Sequence, residues 1–584
     1  MKIKINGTEY RAKPGETILT SCANVGIKIP TLCYAKNIGM IGSCRVCAVE
    51  VKGSRNLVTA CNTPVSDKME IITDSPRVLN ARKTVLELLA SDHQWECTHC
   101  VRTDDCRLKK ACSDANCDTK KFTRNKEFYT QDEENRYIRR NNNKCILCGR
   151  CVRVCSQNQQ VGVLAVNKRG FDAHIGCAWN RPLGDVPCIS CGQCVVNCPT
   201  GALYEVDRLA ELKQKLNDPN MHVVVATAPS VRVALGDGWK MKSGENVTGQ
   251  MVTALKMLGF DKVFDLDLGA DFTIMEEAAE FVKRLSNPDA KIPMFTSCCP
   301  GWINYVRMFH PEMLENVSTA KSPMQIFGSV IKSYYSQKVG IPPEKIYTVM
   351  LIPCSAKQSE CEREEINANP NYKDVDTSLT VRQCIRLMKE YNIDLPSLKK
   401  TEFDNPLGLS TGAGLIFGTT GGVMEAALRT LAEKILNKHL DNIDFDTVRG
   451  DKGTKTAEVP ELHDQQGRTI NVAVVSGIAN AEKLIQEIKS GNKFYHFVEI
   501  MACPGGCVNG GGMPVHNAAI QDNFANAMVR AKTIYHMDKY NKLRRSHENP
   551  VILEVYKDYL GEPNGELAHK LLHTHYKPKE RYNS

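Results

Sequence analysis

KIPMFTSCCPGW, residues 291–302, is an apolar run that stops at two adjacent cysteines, a proline and a glycine. The run reads as a buried strand, and the proline and glycine punctuate its end. Cys298 and Cys299 cannot readily bond to each other, because consecutive Cα atoms lie about 3.8 Å apart, below the disulfide range of roughly 4.4–6.8 Å. Adjacent side chains also tend to point different ways, so one metal ion does not readily take both. Three other segments repeat the arrangement. Ala228, Pro229 and Ser230 follow HVVVAT, PCSAK (353–357) follows KIYTVMLI, and MACPGGC (501–507) follows FYHFVEI. With KVFDLDL and INVAVVS as further apolar runs and helical patterns between them, the chain from about residue 210 alternates strand and helix. That alternation implies parallel sheet in α/β layers, where ligands bind beyond the carboxyl ends of the strands. Cys299, Cys354, Cys503 and Cys507 are thereby expected to meet in one crevice. Four thiolates suit a [4Fe–4S] cubane, although a closed zinc site fits the count as well. Pro-Gly-Gly between Cys503 and Cys507, and Gly510–Gly512 after them, let the backbone approach a bulky inorganic group.

A chain of 584 residues has room for several domains, and its 42% hydrophobic and 24% charged content is that of an ordinary globular protein. Nothing reaches the apolar length of a membrane span, and MKIKINGTEY lacks an apolar signal core, so a cytoplasmic protein is expected. There are 26 cysteines. The cytosol keeps thiols reduced, and most of these fall in tight C-x2-C groups, which points to metal ligation by thiolates. The net charge of +9 suits an acidic partner such as a small electron-carrier protein, and equally an ordinary solvated surface. No concentrated basic and aromatic stripe argues for nucleic acid.

The first 75 or so residues read as a small β-rich module carrying Cys33, Cys44, Cys47 and Cys61. The set resembles a plant-type ferredoxin, a β-grasp holding [2Fe–2S], with a longer first gap than usual; zinc is the alternative. A helical stretch, VLNARKTVLELLASDH, leads into His93, Cys97, Cys100 and Cys106, a set that zinc or [4Fe–4S] would fit in isolation. The next segment favours iron. CILCGRCVRVC (145–155) and CISCGQCVVNCP (188–199) are an internal repeat with bacterial ferredoxin spacing, in which the fourth cysteine of each run ligates the other cluster. One [4Fe–4S] cluster is therefore assigned to Cys145, Cys148, Cys151 and Cys198, and a second to Cys188, Cys191, Cys194 and Cys155.

TSCCPGW, PCSAKQSECER and MACPGGC-x2-GGG resemble the three signatures of [FeFe]-hydrogenases, and the cluster modules match the longer clostridial-type members in order. The resemblance implies an α+β multidomain chain: 1–78 a [2Fe–2S] ferredoxin-like domain, 79–137 a His/Cys3 [4Fe–4S] domain, 138–209 a 2[4Fe–4S] ferredoxin-like domain, and 210–584 a large α/β catalytic domain. It implies an H-cluster, a [4Fe–4S] cubane linked to a diiron unit with CO, cyanide and a bridging dithiolate. Cys299, Cys354, Cys503 and Cys507 would hold it, with Cys507 bridging. Lys357, Ser230 and Pro229, with Ala228 beside them, would contact the diiron ligands, and Phe417 and Met501 would pack around them. Cys298 would be the terminal proton donor and acceptor, a role that suits a thiol titrating near 8.5. Glu277, Glu280 and Arg284 fall on one face of a helix over 276–284, ordinarily a solvated face; the resemblance places them with Ser318 in a relay running Arg284, Glu280, Ser318, Glu277, a water and Cys298. Cys22, Cys112, Cys117, Cys177, Cys361 and Cys384 are left as plain thiols. Two residues depart from the family pattern: Ile352 stands where methionine is common and Met324 where glutamine is.

The resemblance implies reversible reduction of protons to H2, with ferredoxin as electron donor and dedicated maturation proteins as partners. The chain also resembles the catalytic subunit of NAD(P)-linked, sometimes electron-bifurcating, complexes. Gly412, Gly414 and Gly418 do not make a dinucleotide fingerprint, so nicotinamide chemistry would need a flavin-bearing partner subunit. An H2 sensor is a further reading, against which Cys298 and the full relay speak. A complex I-like electron relay is another, against which TSCCPGW and MACPGGC speak.

Overall fold

The computed structural model describes residues 1–123, 128–515 and 523–582. The chain divides into two compact units, one of Met1–Cys188, Gln193–Glu205 and Val515–Ala525, the other of Ile189–Gly192, Val206–Pro514 and Asn526–Ser584.

In the first unit, strands Lys2–Ile5, Thr8–Arg11, Ala48–Val51, Val58–Thr59 and Glu70–Ile72 form one sheet, in spatial order second, first, fifth, third, fourth. Lys2–Ile5 alternates exposed and buried positions, sending Ile3 and Ile5 into a core with Ile18, Leu19, Val49 and Ile71. VLNARKTVLELLASDH is helical, as its period requires. The helix Pro76–Ser91 starts where the Ser75 hydroxyl accepts from Val78 N and Pro76 fills the first turn, and it buries Val78, Leu86 and Ala90. The repeat region carries two small antiparallel ladders, Ile138–Arg140 with Leu203–Glu205 and Ala165–Asn167 with His174–Gly176.

The second unit holds two four-stranded sheets. One is wholly parallel, in the order Lys262–Asp265, His222–Thr227, Ile346–Ile352, Thr377–Thr380. Its central strands are buried almost throughout, which is why they read as unbroken apolar runs. The other runs Met294–Phe295, Phe497–Met501, Thr469–Ser476, Thr454–His463, with only the last pairing antiparallel. The apolar run KIPMFTS yields only a two-residue strand, because Pro293 has no N–H to give the ladder. KVFDLDL likewise ends its strand at Asp265, and Asp267 starts the helix Asp267–Leu285. That helix contains 276–284 and buries Glu276, Glu277 and Glu280. Its charged face is turned into the protein, not to solvent.

Candidate active site

The strand ends of the second unit converge on a cavity of about 90 Å³. Ala228, Pro229 and Ser230 reach it from His222–Thr227, Cys298 and Cys299 from Met294–Phe295, Cys354 and Lys357 from Ile346–Ile352, and Met501, Cys503 and Cys507 from Phe497–Met501; Phe417 closes it. Every cavity residue named from the sequence is in this lining, as are Met324 and Ile352. Gly506 and Gly510, read from the sequence as points of close backbone approach, line it too, with Gly418. Leu266, Ala270, Pro300, Pro323 and Pro353 line it as well and were not anticipated. Their apolar or small side chains carry no chemical signal in a sequence.

The lining fits a bulky iron–sulfur group. Burial first, and then mutual repulsion, pushes the Cys354 thiol up to about 11 and raises Cys503 and Cys507 as well. Thiolates crowded this way call for a cationic partner. Ala502 N donates to Cys299 Sγ at 3.3 Å. Ser230 Oγ is buried without a protein hydrogen bond, a polar atom left for a ligand. Gly506 has φ +94°, and a Cβ there would fall 2.5 Å from Thr420 N, while a Cβ at Gly510 would fall 2.3 Å from Pro353 O. No side chain fits either position, so the backbone itself forms the cradle.

Lys357 Nζ donates to Cys298 O at 3.1 Å, to Ser322 Oγ at 2.7 Å and to Glu360 Oε2 at 2.8 Å. Burial opposes its charge, but Glu360, fully buried, more than offsets this and holds the ammonium above its usual range. Burial, then the charges of Glu277 and Cys299, raises Cys298, so the neutral thiol is favoured.

The residues of the expected relay follow one another from the half-buried Arg284 inward. Arg284 Nη2 donates to Glu280 Oε1 at 2.7 Å and to Val317 O at 2.9 Å. Ser318 Oγ donates to Glu280 Oε2 at 2.8 Å. Ser318 also lies beside Glu277, whose carboxyl is pushed up to about 8 by burial, with the Glu280 charge adding. Glu277 Oε1 accepts from Ser297 N and Oγ, both at 3.4 Å. Ser297, Ser322 and Glu360 were missed from the sequence; of these only Glu360, three residues after Lys357 in one helix, had a local signal.

Several of the other expected cysteine sets lie together. Cys145, Cys148, Cys151 and Cys198 line one small cavity of about 20 Å³, so the fourth cysteine of the second run does join the first three of the first. Cys194, Cys155 and Cys188 pack in the same apolar cluster as Cys151 and Cys198. Cys191, within the second unit, is near enough to Cys503 to repel its charge. Cys33 shares a hydrogen bond with Cys44, and Cys47 with Cys61, all four buried. His93 Nδ1 lies 3.0 Å from Lys144 O, the backbone contact that usually fixes a ligating imidazole. Burial raises Cys106, which lies near Cys100. Of the unassigned thiols, Cys112 and Cys117, both free, share a hydrogen bond, and Cys361 Sγ donates to Lys357 O at 3.3 Å.

Known proteins share this arrangement. The family described as "Iron only hydrogenase large subunit, C-terminal domain" matches residues 221–511, and "Iron hydrogenase small subunit" matches 525–579. Residues 1–76 match a 2Fe-2S iron-sulfur cluster binding domain, and 82–121 the NADH-ubiquinone oxidoreductase-G iron-sulfur binding region. NADP-reducing hydrogenase subunit HndD of Solidesulfovibrio fructosivorans is 43% identical over 100% of this chain and 99% of its own length. Iron hydrogenase 1 of Clostridium pasteurianum is 39% identical over 98% of this chain and 99% of its own. The solved [FeFe]-hydrogenase HydA1 from Chlamydomonas reinhardtii superimposes with a TM-score of 0.57 at 39% identity, covering 64% of this chain and 100% of that one. With cysteines converging at strand ends, iron–sulfur domains ahead of them and full-length relatives of that kind, the chain belongs to the iron-only, or [FeFe], hydrogenase family.

Proposed function

We propose that this hydrogenase catalyses 2H⁺ + 2e⁻ ⇌ H2 at the cavity, with the roles divided among its residues as follows. Cys299, Cys354, Cys503 and Cys507 hold the H-cluster, which supplies the two-electron exchange with protons and H2. Ser230, Pro229, Ala228 and Lys357 present polar and backbone groups to it, and Phe417 and Met501 exclude water. Cys298 holds and passes the proton at its Sγ. Glu277, Ser318, Glu280 and Arg284 carry protons between Cys298 and the surface. The other cysteine sets and His93 hold one [2Fe–2S] and three [4Fe–4S] clusters in modules 1–78, 79–137 and 138–209, ahead of a catalytic module 210–584. The observation that carries this reading is the single cavity joining four distant cysteines, a non-ligand thiol and Lys357, with a buried carboxyl behind that thiol.

Two electron partners fit. Ferredoxin is the donor expected from the sequence. The full-length likeness to a NADP-reducing hydrogenase subunit supports the second reading, a hydrogen-activating subunit that exchanges electrons through a flavin- and NAD(P)-binding partner. Infrared spectra of the matured protein, paired with H2 assays, test both levels. CO and cyanide bands together with H2 formation are expected. Activity with reduced ferredoxin alone, or only with NADPH and a co-purifying subunit, selects the partner. A protein that shows no such bands refutes the reading, and a loaded protein inert with either donor is a sensor.

A further inference from the structure

The proposed proton route crosses an extended segment, 317–321, that is clamped from both sides. On one side Ser318 N donates to Phe295 O at 2.8 Å. On the other, Thr574 N donates to Thr319 O and Lys321 N to Leu572 O, each at 2.8 Å, and Ala320 pairs with His573 as an antiparallel bridge. The segment 572–574 thus acts as an extra strand lying against the relay.

It also brings side chains. His573 is buried between two partners, with Nδ1 2.8 Å from Thr319 Oγ1 and Nε2 2.9 Å from Glu276 Oε2. Glu276 is fully buried and accepts from the Tyr556 hydroxyl and, at 2.6 Å, from Asn564 N. Glu276 Oε2 accepts from the Nε2–H, leaving Nδ1 to accept from the Thr319 hydroxyl. Thr319 N in turn donates to both Glu280 oxygens, at 3.2 and 3.0 Å. Further along the segment, the Tyr576 hydroxyl is buried beside Ser297 and Glu277. Of the carboxyls that helix 267–285 buries, Glu277 and Glu280 belong to the proposed route, and Glu276 anchors what holds it.

We infer that His573 is a positioning residue for proton transfer: anchored on Glu276, it fixes Thr319, and through the Thr319 N–H it fixes Glu280 against Ser318. The inference rests on the relay proposed above and assigns it a support from the region that matches the small subunit. A relay carboxylate that swings by about 1 Å loses its hydrogen-bonded contact with the next group, and displacements of that size are costly. The charged and titratable groups around the device are Glu276 and Tyr556 at His573, Lys434 near Glu276, Arg284 and Glu277 at Glu280, and His569, stacked on His573 at 4.5 Å with His575 beyond it.

The test uses the matured full chain as His573→Ala, His573→Asn and Thr319→Val, with H2 turnover normalised to the CO and cyanide band intensity. His573→Ala is expected to lower the normalised rate about 10-fold, the usual cost of removing a group that orients a working residue. The band frequencies stay put, while the solvent isotope effect rises and the pH–rate profile shifts. Thr319→Val does the same, and His573→Asn, whose amide reaches the place of Nδ1, recovers most of the rate. Normalised rates and profiles equal to the parent's in His573→Ala and Thr319→Val overturn the inference. So does a loss of rate strictly proportional to lost bands, which would mark a role in folding alone. A parent protein without bands or H2 would instead fail the proposed function.

Discussion

At the scale of single residues, Glu277 is the most informative. Burial pushes its carboxyl up to about 8, so the folded protein keeps it neutral where the unfolded chain would ionise it. Its contribution to stability is therefore full below the ordinary carboxyl range and is lost as the pH rises through about 8. Glu277→Gln is neutral at every pH. It should match the parent in acid and exceed it increasingly toward alkaline pH, by a few kcal/mol, as read from the gap in thermal midpoints. If Glu277 carries protons as proposed, the same substitution should lower H2 turnover about 100-fold or more at unchanged infrared bands. Equal stability gaps at all pH values would show that the carboxyl is not held neutral.

At the scale of elements, parallel strands of both sheets do the converging, and the loops after them do the binding. Gly506 shows how little latitude those loops have. Gly506→Ala must place a methyl 2.5 Å from Thr420 N in a φ that side chains rarely adopt. It should lose iron and the CO and cyanide bands while circular dichroism stays near the parent's; retained bands would mean that the loop can give way. These elements were legible to different degrees. Cysteine runs such as 145–155 carry their ligand spacing within a few residues, and buried parallel strands such as Ile346–Ile352 announce themselves as unbroken apolar runs. Strand ends then predict where Cys299, Cys354, Cys503 and Cys507 meet. Pairings that local pattern cannot encode were hidden: Thr319 with His573 spans 254 positions, and Ser297 beside Glu277 is one ordinary serine among many. The helix at 276–284 was legible as a helix, but its inward charged face was not, because i, i+3 and i+7 spacing reads the same toward solvent or core.

At the scale of the whole molecule, the cysteines proposed to hold clusters in the first unit and the cavity of the second are expected to do separable work. Cys148→Ser strikes only the former. It should lower iron content and cut H2 formation from a protein electron donor by about 10-fold or more, while the CO and cyanide bands remain. Loss of those bands would tie the two tasks together. The make of the cavity wall has a final consequence. Leu266, Ala270, Met324, Ile352, Phe417 and Met501 give it an oily interior, into which a small uncharged gas dissolves while a hydrated cation does not. Charge and gas must then travel by different doors, so a change that wets this chamber would let hydronium in through the wrong one.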